Sequence, residues 1–332
     1  RNIHYCWRIQ ESFNGDCDGT AGEMTIEKYQ GRLEPGDAFG EWLTGILADR
    51  LPDPDGDVRV YRIEPASHVV CRYEFSGGVS VIGKFFGAPT GANSRYNPRK
   101  AMKNEYSRIR RVSGFIRVPR ALAARSRFHA VLVTDYIPGP TMRELIAAKA
   151  PLYNHLTGVA HLLRRLHDNT RTSCNRTREF AYFHKVLDQN RLPDDLRERF
   201  NHLLGAWWHS PRISQDEGCM IHGDATPSNY LAGNGIWAID FEGSRNHAHP
   251  IRDLGILAAE IKASSANARA EGYIGHLLWH YSNDEEEFQH YTRDLPFFMA
   301  LGYLRIARLP WRVAERDWLL EEAEACLAAG PM

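Results

Sequence analysis

The stretch Met220 to Gly243, "MIHGDATPSNYLAGNGIWAIDFEG", constrains the fold more than any other part of this chain. Its two apolar runs, "YLA" and "IWAID", are too short for helices and are joined by a glycine-bounded turn at Gly233 to Gly235, so they read as a tight β-hairpin. The hairpin brings Asn229, just before the first run, close to Asp240 at the end of the second. His222, Asp224 and Asn229 stand ahead of it at relative positions 0, 2 and 7. A carboxylate beside an amide oxygen, with room for water, is the ligand set that a phosphate-bound Mg²⁺ ion prefers. Asp224, one loop away, is placed to receive a proton.

The rest of the chain supplies the setting for that hairpin. With 332 residues, 43% of them hydrophobic, it can bury a substantial core in one large domain or two lobes. Its formal net charge of zero gives no global reason to expect nucleic acid or a membrane surface as partner. Six cysteines lie far apart without a CxxC pair, which argues against a zinc ribbon or a dense disulfide framework. A reducing cytoplasm is the expected location. No window approaches the roughly 18 apolar residues of a spanning helix, and the opening "RNIHYCWRIQ" lacks the apolar core of a signal peptide.

From Val58 to Phe86 the chain reads as three strands, "VRVYRI", "HVVCRYEF" and "VSVIGKFF", with a hairpin turn at Ser76 to Gly78. A helix is expected over Pro98 to Val112, then a strand pair centred on "FIRVPRAL" and "FHAVLVTDY". A hinge near Tyr136 to Pro140 leads into a mainly helical remainder, for example "LTGVAHLLRRLH". The expected organisation is an N-terminal extension with one helix (1–57), a β-rich lobe (58–136) and a helical lobe (137–332).

The spacing from His222 to Asn229 matches the kinase catalytic loop H-x-D-x-x-x-x-N, and Asp240-Phe241-Glu242 stands where D-F-G would. That match predicts a lysine on the third strand of the small lobe and a helical glutamate after it. Lys84 in "VIGKFF" is that lysine. Between Arg95 and Arg127 there are eleven Lys or Arg and one acid, Glu105, which is therefore the natural partner for Lys84. With these residues, and the hinge "LVTDYIPGPTM", the chain resembles the aminoglycoside phosphotransferase and choline kinase superfamily over roughly Val58 to Leu309.

The resemblance implies an α+β, two-lobed, protein-kinase-like fold: a small antiparallel sheet lobe with one key helix, and a larger helical lobe. It implies ATP as donor, with GTP open as the alternative, and Mg²⁺ held by Asn229 and Asp240. It also implies adenine contacts from the backbone of Asp135 and Ile137, and Asp253 in "PIRDLG" as a brace for the catalytic loop. Gly223 and Glu242, in place of the Arg and Gly usual in protein kinases, resemble the small-molecule branch. There is no G-x-G-x-x-G after the first strand, where "RIEPASHVV" stands, so Ser67 and the amides of Ala66 to His68 are the expected phosphate cover. Only about a dozen residues separate Asp240 from the helix near Ile251, and no A-P-E follows, too little for a peptide-binding activation segment.

The expected activity is transfer of the γ-phosphoryl group to a hydroxyl of a small molecule, with Asp224 as base. The alternatives are a catalytically silent nucleotide-binding module and a kinase acting on a macromolecule or an anionic lipid-type acceptor. His222 is expected to be structural rather than catalytic. The pair His247 and His249 lacks a third ligand nearby and is read as loop polarity. Glu242 either reaches a second metal or caps a turn, and spacing does not decide. The segment from Tyr273 to Phe298 joins aromatics to an acidic run, Asp284 to Glu287, which would suit a cationic acceptor, although such aromatics more often pack a core.

Overall fold

The computed structural model describes residues 25–87, 96–264 and 269–330. The chain divides into two compact units, one comprising 1–114 with 118–138 and the other 115–117 with 139–332.

The first unit is built on a six-stranded antiparallel sheet in the order β1-β2-β3-β4-β6-β5. Its strands are β1 (Ile26–Arg32), β2 (Val58–Glu64), β3 (Val69–Phe75), β4 (Ser80–Phe85), β5 (Ala121–Arg125) and β6 (Val131–Asp135). Alternation of buried and half-buried residues along β3 and β4 gives the sheet one apolar face. The helix α1 (Ala38–Leu47), capped by the Asp37 carboxylate on Phe39 N and Gly40 N, covers that face with Phe39, Leu43 and Leu47. These pack with Val60, Tyr73, Val81, Phe85, Phe128 and Val133. Residues expected to form an extension ahead of the sheet thus supply both an edge strand and the core helix. Lys84 consequently lies on the fourth strand of the sheet, not the third.

The helix α2 (Pro98–Val112) starts on an Asn97 cap with Pro98 at its first position. The strand expected over "FIRVPRAL" begins later, at Ala121. Pro119 has no N–H to give a ladder, and Phe115 to Arg117 belong to the second unit, where Arg117 O accepts from Ala238 N at 3.0 Å.

The second unit contains α3 (Met142–Ala147), α4 (Tyr153–Asp168), α5 (Arg176–Asn190), α6 (Asp194–His209), α7 (Ile251–Ser264), α8 (Ala270–Tyr281), α9 (Glu285–Ala307) and α10 (Arg316–Ala328). Two small sheets complete it: β7 (Cys219–Ile221) with β10 (Arg245–Ala248), and the hairpin of β8 (Tyr230–Gly233) with β9 (Gly235–Ala238). α7 is buried along nearly its whole length and packs on α9. That approach depends on Gly302, where an added Cβ would stand 2.6 Å from the Ala259 methyl. Arg305, one turn beyond Gly302, shares its face of α9. No helix among the described residues is long and apolar enough to cross a membrane.

Candidate active site

In the first unit the Lys84 ammonium meets the Glu105 carboxylate at 2.9 Å, with side chains 12% and 3% exposed. β4 carries the lysine and α2 the glutamate, and the Phe86 ring lies 5.0 Å from the ammonium. The Asp135 N–H donates to Arg120 O at 3.1 Å and the Tyr136 N–H to Ser80 O at 3.3 Å. The Asp135 carboxylate pairs with Arg50 at 2.6 Å and Arg120 at 3.5 Å. Ile137 follows directly, with no backbone partner among the described residues. Ser67 is exposed in the loop joining β2 to β3.

In the second unit the catalytic-loop residues run from the end of β7 to the start of β8. The fully buried Asp253 carboxylate, on the first turn of α7, accepts from His222 N at 2.6 Å, Gly223 N at 2.9 Å and His167 Nε2 at 3.2 Å. Burial alone would raise its pKa, but the His167 bond, the nearby imidazoles and the Gly223 amide overcome that and hold it below the usual carboxylate range. Asp253 therefore fixes the loop backbone rather than facing solvent. The His222 ring is buried and bonded to Ile239 O at 2.9 Å, so this histidine ties the loop to the end of β9. Gly223 has φ +81°, and a Cβ there would lie 2.2 Å from Gly243 O. A side chain at this position is excluded on both counts.

Asp224, on that braced loop, is half-buried. The Asn229 amide nitrogen donates to its backbone O at 2.8 Å and its Oδ2 at 3.0 Å. With the nitrogen so engaged, the Asn229 side-chain oxygen remains an acceptor, with no hydrogen bond to it among the described residues. Ile239 N donates to Asn229 O at 3.0 Å, which ties Asn229 to the residue before Asp240. Asp240 adopts a left-handed backbone (φ +62°), and its Oδ1 accepts from Glu242 N at 3.3 Å. Carboxylate oxygens of Asp240 and Glu242 approach within 4.8 Å of each other.

One residue at this site had no signal in the sequence reading. Arg305, from α9, forms an ion pair with Asp224 Oδ1 and donates to Gly223 O at 3.3 Å. Burial would lower its pKa, but Asp224, Tyr182 and Glu260 hold it above the ordinary arginine value. Nothing in "GYLRIARLP" distinguishes this arginine from Arg308 beside it, and only the packing of α9 reveals its role.

The two histidines read as loop polarity diverge. His247 is exposed and bonds Ser173 O at 3.1 Å, whereas His249 is buried, stacked on Phe298, with Glu217 and Asp294 oxygens each 3.9 Å away. In the aromatic and acidic segment, Tyr273, Tyr281, Tyr291, Phe297 and Phe298 are core residues. Asp284 caps α9 through Glu287 N at 2.8 Å, and Glu287 pairs with Arg164 at 2.7 Å. Packing and capping thus account for these residues, while Trp279 (56% exposed), Glu285 and Glu286 stay at the surface.

Residues 59–291 match the family model for the phosphotransferase enzyme family. The chain belongs to that family. Among solved structures it is similar to ethanolamine kinase of Plasmodium vivax, with TM-score 0.55 and 14% identity over 90% of this chain and 89% of the other. The GDP complex of aminoglycoside 2'-phosphotransferase-IIIa gives TM-score 0.59 and 14% identity, covering 86% and 98%. Choline kinase of Cryptosporidium parvum gives 0.55 and 15%, covering 87% and 93%. A search of curated proteins finds no match. As a phosphotransferase-family chain with an antiparallel sheet in one unit and a mainly helical second unit, it has the α+β, protein-kinase-like fold.

Proposed function

We propose that this chain transfers the γ-phosphoryl group of a nucleoside triphosphate to a hydroxyl of a small molecule, with Asp224 as the base. The observation that carries this reading is the state of Asp224: a half-buried carboxylate whose loop is held by Asp253 and whose oxygens are aligned by Asn229 and Arg305. Such preorganisation is costly to build and suits a group that must meet a reacting hydroxyl in one orientation.

Lys84, oriented by Glu105, would hold the α- and β-phosphates, while the backbone of Asp135 and Ile137 would take the adenine edge. Ser67 and its neighbouring amides would cover the phosphates. The Asn229 oxygen with the Asp240 and Glu242 carboxylates is a hard oxygen donor set that fits a divalent cation, and Mg²⁺ is the expected one. When bound, Mg²⁺ neutralises charge on the phosphate oxygens. In the reaction the acceptor oxygen forms a bond to the γ-phosphorus as the bond to the β-phosphate oxygen breaks. Asp224 orients the hydroxyl and takes its proton, and the nucleoside diphosphate leaves. The donor is ATP or GTP: a similar amicoumacin kinase structure holds AMP-PNP and Ca²⁺, whereas aminoglycoside 2'-phosphotransferase-IIIa holds GDP.

The test is ³¹P NMR of Mg²⁺-ATP, and of Mg²⁺-GTP, incubated with the protein and fractionated metabolites, with Asp224→Asn as control. A new phosphomonoester signal, lost by roughly 10²- to 10⁴-fold in the variant while nucleotide binding persists, is the expected result. Nucleotide binding without any product would favour a silent module, and product on a macromolecule or lipid fraction alone would move the acceptor out of the small-molecule class.

A further inference from the structure

The side chains next to Asp224 say what kind of acceptor it serves. Tyr182 on α5 is the centre of a group of arginines drawn from three elements. Arg252 of α7 and Arg245 of β10 stack over its ring, their guanidinium carbons 4.0 and 4.7 Å from the centroid. Arg305 of α9 reaches Asp224, and Arg308, one turn on, donates through Nε to Arg305 O at 3.3 Å. Two carboxylates form ion pairs with these four cations; a third, Glu260, also acts on Arg305 but is paired with a further arginine, Arg143, at 3.2 Å. Glu179 pairs with Arg252 at 3.0 Å, and Asp224 pairs with Arg305. Among the described residues no carboxylate comes within ion-pair distance of Arg245 or Arg308, and Arg308 bonds the neutral Gln189. The Nε and Nη2 of Arg252, a residue 1% exposed, are buried with no hydrogen-bond partner among the described residues.

Four guanidinium groups against two carboxylates leave two positive charges uncompensated. Partly buried charge of that kind is costly until an anion arrives. Planar guanidinium forks match phosphate and carboxylate oxygens in bidentate geometry, which an ammonium does not. A phosphate monoester, with close to two negative charges near neutral pH, matches the excess. We infer that the acceptor is a phosphorylated alcohol, its phosphate held by Arg245, Arg252 and Arg308 beside Tyr182 so that a free hydroxyl is presented to Asp224. Electrostatics at the site agree. Burial would raise the Tyr182 pKa, yet Arg305, Arg252, Arg245 and Arg308 bring it below the ordinary phenol value. Arg245 and Arg308 are themselves lowered, by burial first and then by neighbouring guanidiniums. This inference rests on the phosphotransferase reading and narrows its substrate class.

The test uses the full chain and matched acceptors: glycerol, ribose and glucose; glycerol 3-phosphate, ribose 5-phosphate and glucose 6-phosphate; glycerate and gluconate; choline and ethanolamine. ADP release and calorimetric binding are measured for each, with wild type, Arg245→Gln and the charge-conserving Arg308→Lys. At least tenfold higher kcat/KM for phosphorylated over neutral members is expected. Both variants should lose that preference mainly through KM for the acceptor, with KM for ATP unchanged. Turnover of neutral or cationic acceptors without such a gain would overturn the inference and leave the kinase reading standing. So would preference for the carboxylates, or a phosphate preference that both variants retain. Binding of the phosphorylated probes without turnover would uphold the anion site and count against the kinase reading instead. Binding of none of them would overturn the inference.

Discussion

In the first unit Lys84 and Glu105 bury one cation against one anion, 2.9 Å apart, while in the second unit, among the described residues, four arginines around Tyr182 form ion pairs with only two carboxylates, Asp224 and Glu179. The balanced pair recovers part of its desolvation cost within the protein, so its geometry can be fixed before any ligand binds. The unbalanced group recovers its cost only when a ligand supplies the missing charge. The difference separates a positioning device from a recognition device, although both are built of ordinary buried ions. Asp253 belongs with the first kind: its one negative charge is satisfied by two backbone amides and an imidazole.

The largest effect is therefore expected at Asp253. Asp253→Ala removes the acceptor shared by His222 N and Gly223 N and leaves both amides buried, and we expect a loss of about 3–5 kcal/mol in urea unfolding. A loss below about 1 kcal/mol would mean that the loop is held by its hairpin alone. Next in size is Lys84→Met, which takes from buried Glu105 the ammonium it pairs with, at a cost of roughly 3 kcal/mol. In a double-mutant cycle, adding Glu105→Gln should restore much of that loss while nucleotide affinity stays low. Additive losses would show that the two residues do not act as a pair.

A third way of burying a titratable group is to keep it neutral, and His249 does so. Full burial, with His290 and His167 nearby, pushes its pKa down to about 3. The unfolded imidazole binds a proton below about pH 6.5 and the folded one does not, so stability falls with pH across that window by up to about 1.4 kcal/mol per unit. Asp294, raised chiefly by burial, works in the opposite sense, and Glu217, His290 and Arg212 also lie close. Comparison with His249→Gln removes those shared contributions. The stability advantage of wild type over this variant should narrow by roughly 2 kcal/mol between pH 7.5 and 5.0. A constant difference would show that His249 titrates normally.

Much of the balanced chemistry was legible in the sequence because it is local or paired by kind. The loop from His222 to Asn229 and the hairpin behind it lie within some twenty residues, and Glu105 stood out as the single acid in a basic stretch. The helix expected over Pro98 to Val112 has those bounds in the structure, where Asn97 caps it and Pro98 stands at its first position. β1 did not. An exposed edge strand such as "IEKYQGR" has no buried face to give it alternation. Arg245, Arg252, Arg305 and Arg308 were equally hidden, since they come from three elements and converge only through the packing of α7 against α9. The same limit explains why "EGYIGHLLWHYSNDEEEF" could look like a cationic pocket: a run of residues shows composition, but not which way each side chain faces.

The smallest expected effect tests the comparison most directly, because it asks whether removing a cation costs anything when no anion balances it. Arg245→Gln gives up a stacking contact with Tyr182 and relieves repulsion from Arg252. Without ligand, its stability should stay within about 0.5 kcal/mol of wild type or rise, in contrast to the loss at Lys84. Inorganic phosphate should raise the wild-type unfolding midpoint by preferential binding to the folded state, and should raise that of Arg245→Gln distinctly less. A loss of 2 kcal/mol or more in the absence of phosphate would place Arg245 among the structural ions, complete without a ligand. The two units would then bury charge in the same way, and the excess of arginine beside Asp224 would no longer point to an anionic acceptor.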